Sequence, residues 1–443
     1  VDVRHWVDQL RPVFAGRRVI VTSQVLAAAT SVVQALHRLG ADDVLVVASG
    51  GPGTGELPDA ECLSLEVDVS GLSLHQSIQR SHEAFADLPA WLVERLDGFD
   101  PEHRALALGD FLNELIELAG RPFLAYRRPD WVRLDDKTVV DAFWDRAGVA
   151  RAPSRVVPAE REAVLAVADE LDRGGGVVVA VDSSKGWTGG GAGVRRIRRD
   201  GDAEPALSEW TGQRVRVMPF LEGIPCSIHG IVVAGTVVAL RPVEMVVLRR
   251  DGGEFLYCGC SSFWDPPPEG REQMREVARR AGAALRDEVR YRGAFTVDGV
   301  MTDEGFLPTE LNPRNGAGLV MMARTLDDEL PLQLLLDALV GEVEADWRPA
   351  QLESLLVEHF DAHRAGGTWR GVPVAIEPGE LDLDGGHLSV GPSPIGTFLR
   401  LTLEGAVGES VGPRATAFWS WADERWGLGL GPLSCAAERR PTR

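Results

Sequence analysis

The segment Phe295-Thr296-Val297-Asp298-Gly299-Val300-Met301-Thr302-Asp303-Glu304-Gly305-Phe306-Leu307-Pro308-Thr309-Glu310-Leu311-Asn312-Pro313-Arg314 reads as two strands joined by a tight turn. Asp303-Glu304-Gly305 suits a three-residue hairpin loop, with Gly305 in the left-handed position. On that register Thr302 faces Phe306, and Asp298 lies opposite Glu310. Glu310 and Asn312 share one strand face through the two-residue period. Three hard oxygen ligands, from Asp298, Glu310 and Asn312, are thus expected on one side of a two-stranded ladder. Mg²⁺ is held in this way when nucleotide phosphates and water complete its octahedron. An exposed acidic strand would carry the same residue types. Leu307, Leu311 and the Pro-Arg-Asn-Gly-Ala-Gly tail at 313–318 argue against a strand that is wholly exposed.

Three upstream segments carry chemistry of a matching kind. Asp182-Ser183-Ser184-Lys185-Gly186-Trp187-Thr188-Gly189-Gly190-Gly191-Ala192-Gly193 lies between two apolar runs, Val177–Val181 and Val194–Ile197. Its glycines let backbone N–H groups approach an anion, and Lys185 adds charge; a plain hairpin tip would read the same way. No Gly-Lys-Ser/Thr opens a helix there, so it is not a Walker A loop. Asp136-Lys137 opens a helix predicted to run from Asp135 to Arg146, stopped by Gly148. A lysine near the positive end of a helix dipole is slightly unfavourable unless an anion such as a phosphate lies beside it. Met218-Pro219-Phe220-Leu221-Glu222-Gly223-Ile224-Pro225 is a strand end whose extended backbone can meet an adenine edge, or simply a crossover turn.

The order of these four pieces resembles the ATP-grasp superfamily: Asp-Lys helix, glycine-rich hairpin loop, adenine hinge, then Asp…Glu-x-Asn metal strands. The resemblance covers about 123–339, and Glu310-Leu-Asn-Pro-Arg314 is its most specific part. It implies an α/β (α+β) chain with an ATP-grasp fold at 126–346, two α+β subdomains gripping ATP. A Rossmann-like pre-ATP-grasp domain at 1–125 and a small C-terminal domain or lid at 347–443 would flank it. It further implies an ATP-dependent carbon–nitrogen ligase that phosphorylates a carboxylate and lets an amine attack the acyl phosphate, releasing ADP and phosphate. Lys137, Lys185 and the glycines Gly189, Gly190 and Gly191 would lie at ATP. Met218, Phe220 and Glu222 would form the hinge, while Asp298, Glu310 and Asn312 would bind Mg²⁺ or Mn²⁺. Arg314 would stabilise the acyl-phosphate oxygens, and Arg241 would reach the γ-phosphate or pair with Glu244.

This chain departs from the family pattern at two points. Relatives carry a lysine on the strand before the glycine loop, where Ala180 and Val181 stand here; Lys185 is the candidate substitute. A ribose-binding acid is expected where Pro225 stands, and Glu222 is its candidate replacement. The Asp-x-x-x-Gly-Trp-x-Gly-Gly-Gly loop and Arg241-Pro-Val-Glu244 are similar to bacterial peptide ligases of the pheganomycin-biosynthesis type, a setting of secondary metabolism. A thiol or hydroxyl acceptor, or a non-catalytic nucleotide-binding role, are the competing readings.

Composition bounds the rest. The 443 residues are too many for one core. A net charge of −20 disfavours nucleic acid as partner. No run of ~18 apolar residues exists to span a membrane, and the first residues lack a signal-peptide pattern. Five scattered cysteines, Cys62, Cys226, Cys258, Cys260 and Cys435, fit a reducing cytoplasm better than a disulfide framework. The expected partners are a small carboxylate and an amine, an amino acid or peptide, with a homodimer left open. The chain has 44 arginines but two lysines, Lys137 and Lys185, both inside the segments above.

A β-α-β unit is expected from Arg17 to Ala48, followed by a Gly50–Gly55 loop that leads to no helix and so lacks the dinucleotide fingerprint. Helices are predicted over Leu74–Ala86, Leu106–Leu118, Glu269–Arg290 and Leu352–Phe360, with short strands after the last. His359 and His363 have zinc-compatible spacing but read as a solvated helix face. Trp419, Trp421 and Trp426 read as packing. Arg195, Arg196, Arg198 and Arg199 form a basic run, one member of which could meet a phosphate.

Overall fold

The apolar run Val19-Ile20-Val21 is buried on both sides, as a parallel strand requires. In the computed structural model, which describes residues 3–72, 74–186, 189–198, 207–326 and 329–436, it forms β1 (Arg18–Ser23). Helix α1 (Arg4–Phe14) precedes β1, and α2 (Thr30–Leu39) leads to β2 (Asp43–Ala48). Gly40, at φ +85°, stops α2 as expected. Parallel pairing gives the order β3–β2–β1–β4, where β3 is Glu61–Ser64 and β4 is Leu106–Leu108. The expected β-α-β unit is present.

Leu106–Leu118 is not a helix. Leu106-Ala107-Leu108 pairs with Val19–Val21, and Gly109-Asp110 then breaks the chain into turns. Short apolar runs do not distinguish a buried strand from a helix, and here tertiary pairing decides. Helices α3 (Leu74–Ala86) and α4 (Ala90–Phe99) supply Phe85, Leu92 and Leu96 to the core around Ile20, Leu45 and Ala107. The Gly50–Gly55 loop packs on a hairpin made of Gly379–Leu383 and Gly386–Ser393, with Thr54 Oγ1 donating to the Pro392 carbonyl at 2.9 Å. These parts belong to one unit, comprising 1–129, 322–355 and 369–401.

The second unit comprises 130–321, 356–368 and 402–443. It begins with a short 3₁₀ turn and α5 (Val140–Arg146), shorter than predicted because Asp136 is extended and acts as an Asx cap. Its Oδ1 accepts from the N–H and hydroxyl of Thr138, each at 2.7 Å. A small antiparallel sheet has the order β5–β8–β6–β7: β5 Arg155–Pro158, β6 Val177–Val181, β7 Val194–Ile197 and β8 Arg214–Pro219. Val177, Val179, Val181, Val215 and Val217 pack on α6 (Arg161–Leu171). By the period of two, Ala180, Arg216 and Met218 share the opposite face.

The large antiparallel sheet holds the hairpin that carries Asp298 and Glu310. Its order is β13–β12–β9–β10–β11, with β9 Ile224–Val233, β10 Thr236–Arg250, β11 Phe255–Ser261, β12 Gly293–Thr302 and β13 Gly305–Asn312. Residues 366–368 then pair with β11. Helix α7 (Pro268–Val289) lays Met274, Val277, Ala278, Ala281 and Leu285 on β9 and β10, at the three-and-four spacing of one helical face. Helix α8 (Gly412–Trp426), unanticipated from sequence, carries the three tryptophans. Trp419 is fully buried and donates to Thr368 Oγ1 at 2.5 Å, a packing role as expected. Among the described residues no helix is long and apolar enough to cross a membrane, and the five cysteines are free thiols.

Candidate active site

Strand register brings the two carboxylates together, though by another route than expected. The turn is two residues, Asp303-Glu304, because Thr302 pairs with Gly305 and Met301 with Phe306. A register shift follows: Gly299 faces Pro308, yet Asp298 faces Glu310, so Thr309 is an extra, bulged residue. One residue moved from the loop into a bulge gives the same opposition. Asn312 faces Thr296 on the same side of the pair.

A chain of contacts joins the site residues. Ser227 Oγ, on β9 directly opposite Asp298, donates to Asp298 Oδ1 at 2.5 Å. Asn312 Nδ2 donates to Asp298 Oδ2 at 2.8 Å, and Arg314 Nη2 donates to Asn312 Oδ1 at 2.7 Å. Arg314 also lies 4.0 Å from Asp135. Lys137, whose side chain is 9% exposed, places Nζ 3.1 Å from Glu310 Oε1. Burial, and secondly the facing Glu310, push the Asp298 carboxyl up to about 6; Ser227, Arg314 and Lys137 act in the opposite sense.

The donor set fits a hard divalent cation. Two carboxylates on one face, with an amide beside them, are what Mg²⁺ uses when phosphates and water fill its remaining positions. Among the described residues no group of three or more His, Cys, Asp or Glu is arranged to hold a metal alone. His359 and His363 instead stack, with ring centroids 4.1 Å apart.

Other expected residues lie elsewhere. Lys185 is exposed and donates to the Thr211 carbonyl at 3.0 Å. Arg241 is fully buried between Asp265 at 2.7 Å and Asp361 at 3.4 Å, with Arg271 and Arg364 on the same two carboxylates. Burial lowers its guanidinium to about 10. The alternative Arg241–Glu244 pair is also absent. Glu244 caps α8, accepting from Ser410 Oγ at 2.6 Å, Val411 N at 2.9 Å and Gly412 N at 3.3 Å. Burial raises that carboxyl to about 6 against these hydrogen bonds.

Hinge and glycine segment are both engaged. Glu222 pairs with Arg249 at 3.0 Å, and Phe220 is covered by the guanidinium of Arg196 at 3.5 Å and that of Arg249 at 4.8 Å. Met218 is buried, its Sδ 3.4 Å from Arg216 Nη1. The glycine segment rests on β11: Tyr257 N donates to the Gly190 carbonyl at 3.4 Å. A Cβ on Gly191, at φ +92°, would stand 2.3 Å from the Phe255 carbonyl oxygen. Gly189 continues the turn by accepting from Ala192 N at 3.1 Å. The Asp136 carboxylate reaches this segment too, accepting from Ser183 N at 3.1 Å. Trp187, Thr188 and Arg199 lie outside the described residues.

Sequence reasoning missed Ser227, His229 and Arg216. His229 is fully buried under Gly316 and Gly318, hydrogen-bonded through Nδ1 to Thr296 Oγ1 at 2.9 Å. Burial lowers its imidazole to about 3, so it is neutral. Ser227 and His229 are polar residues two apart in an apolar strand, and Arg216 is a charge among valines; polarity at buried strand positions was the available signal.

Residues 183–318 match the ATP-grasp domain. In fold the chain is similar to the biotin carboxylase–β,γ-ATP complex from Campylobacter jejuni, with a TM-score of 0.55, 13% identity, and 94% of this chain and 92% of that chain covered. It is similar to carboxyaminoimidazole ribonucleotide synthase from Aspergillus clavatus complexed with ATP, with a TM-score of 0.53, 12% identity, and coverages of 93% and 99%. For the L-amino acid ligase from Bacillus licheniformis the TM-score is 0.52 and the identity 14%, with coverages of 93% and 98%. No curated protein matches the chain. The parallel N-terminal sheet, the small antiparallel sheet and the large antiparallel sheet belong to an ATP-grasp fold, and residues 183–318 match its ATP-grasp domain.

Proposed function

We propose that the chain is an ATP-dependent carboxylate–amine ligase that forms an amide through an acyl phosphate and releases ADP and phosphate. The observation that carries this reading is the contact chain Lys137–Glu310, Asp298–Asn312–Arg314, in which two cations flank two opposed carboxylates. Asp298 and Glu310, with Asn312 beside them, would hold Mg²⁺, which would supply charge neutralisation for the nucleotide phosphates. Lys137 lies against Glu310 and would meet the phosphates next to it. Arg314, held by Asn312, would meet the substrate carboxylate and stabilise the acyl-phosphate oxygens as charge develops there. Phosphoryl transfer gives the protein little covalent work, so positioning and charge neutralisation are its contribution. The finer reading is a peptide ligase of secondary metabolism, supported by the glycine segment's resemblance to pheganomycin-type ligases. Amino acids and short peptides are therefore the substrates to try first.

The test is ADP release across a panel of amino acids and peptides. ADP and phosphate should appear in equal amounts, only when a carboxylate and an amine are both present. Hydroxylamine should trap the activated acid as a hydroxamate. AMP and pyrophosphate as products would overturn the reading; ADP without hydroxamate would turn it toward a kinase. Glu310→Ala should lower turnover by orders of magnitude.

A further inference from the structure

Arg216 is the most deeply buried charge beside this site for which the ligase reading gives no task. It is 2% exposed, on the face of β8 that turns away from the valine core. Its Nε donates to Asp141 Oδ2 at 3.1 Å, and its Nη2 lies 2.7 Å from Asp141 Oδ1 as a second, ionic contact. Its Nη1 donates to the Thr309 carbonyl at 3.0 Å. Both partners adjoin site residues. Asp141 is the second residue of α5, one turn after Lys137, and Thr309 precedes Glu310.

Thr309 is also the bulged residue of β13. From the pair Thr302–Gly305, an unbroken ladder would set Asp298 opposite Thr309 and turn the Glu310 side chain to the other face of the sheet. The bulge therefore puts Glu310 on the Asp298 face. A bulged residue leaves the ladder, and its carbonyl, part-buried here, takes a donor from outside the strand pair. Arg216 is that donor. Thr309 Oγ1 makes a second tie, donating to the Asp298 carbonyl at 3.3 Å.

We propose that Arg216 is a positioning residue for the metal–nucleotide site: it holds the Thr309 bulge, and through Asp141 the start of α5, so that Glu310 and Lys137 stay set against Asp298. The inference rests on the reading of Asp298 and Glu310 as the metal carboxylates. Partners that orient metal ligands from behind typically contribute about 10–100-fold in metal affinity. One lysine ammonium does not reproduce the fixed fork that reaches Asp141 through Nε and Nη2 and Thr309 through Nη1, so charge alone does not replace the guanidinium.

The test is a Mn²⁺ titration followed by electron paramagnetic resonance. The full chain would be titrated with a non-hydrolysable ATP analogue present, as wild type, Arg216→Met, Arg216→Lys, Asp141→Asn and Glu310→Gln. Circular dichroism and thermal unfolding run in parallel. Arg216→Met should weaken Mn²⁺ binding about 10-fold or more, and Arg216→Lys should weaken it less. Both should be measured below their unfolding temperatures. If Arg216→Met does not fold, Arg216→Lys, which keeps the buried charge, decides alone. A folded Arg216 variant with Mn²⁺ affinity within twofold of wild type, and merely a lower unfolding temperature, overturns the proposal. Equal Mn²⁺ binding by wild type and Glu310→Gln would instead overturn the metal-site reading beneath it.

Discussion

Replacing Lys137 by methionine keeps most of the apolar stem of the side chain and removes the cation beside Glu310. At 3.1 Å, and an effective dielectric of about 20, two unit charges attract by ~5 kcal/mol before desolvation is counted. Breaking a fully buried pair costs about 3–5 kcal/mol. Lys137 is nearly buried, but the Glu310 side chain is 26% exposed, so water recovers part of that loss. Asp298 directly opposite adds repulsion that Lys137 now offsets. We expect Lys137→Met to loosen the β12–β13 hairpin by ~2–3 kcal/mol, with much of it recovered in Lys137→Met/Glu310→Gln. Native-state hydrogen exchange of amides in β12 and β13 reads this locally, without assuming that the whole chain unfolds in one step. A coupling energy below about 0.5 kcal/mol in the double-mutant cycle would refute the argument.

Three further outcomes are expected. Burial raises the Asp337 carboxyl to about 7, against a hydrogen bond from Gln333. The folded state therefore holds that proton more tightly, and stability falls as pH rises from about 4 to 7. At about 1.4 kcal/mol per unit, Asp337→Asn should stabilise by a few kcal/mol at pH 8 and by almost nothing at pH 4; equal melting shifts at both would contradict this. Glu244→Ala leaves two backbone N–H groups and a hydroxyl at the head of α8 without their acceptor, at ~2–3 kcal/mol. Faster hydrogen exchange in the first turn of Gly412–Trp426 is the check. Gly191→Ala combines a left-handed backbone with a contact at 2.3 Å to Phe255. A strain of ~1–2 kcal/mol should raise the KM for ATP roughly tenfold while the fold is unchanged, and an unaltered KM would separate this segment from nucleotide binding.

The site was legible where chemistry and period coincide. Asp298, Glu310 and Asn312 were grouped by type and spacing and Lys137 and Arg314 by the family resemblance, and contacts join the five. The loop length was misjudged without consequence, because a three-residue turn and a two-residue turn plus a bulge insert the same single residue. The bulge itself could not be read locally, since its carbonyl is held by Arg216, 93 positions away in sequence. Lys185 and Arg241 were chosen for their charge and their place in segments that resemble the family, and neither says where a long side chain ends. Lys185 ends on a backbone carbonyl at the surface, and Arg241 among carboxylates brought in by Trp264-Asp265 and Phe360-Asp361. The Leu106–Leu108 strand was masked for a similar reason: three apolar residues take their geometry from the neighbouring strand.

The scarcity of lysine has a chemical consequence once its two members are placed. Lys137 is enclosed and salt-bridged, which leaves Lys185 as the one side-chain amine open to solvent. An enzyme that makes an activated acyl group can transfer it to its own amines whenever the intermediate escapes. Arginine, protonated at every working pH, is inert to that transfer. A surface charged through guanidinium groups thus resists self-acylation, and Lys185, four residues before Gly189, becomes a single handle for attaching a fluorophore next to the glycine segment.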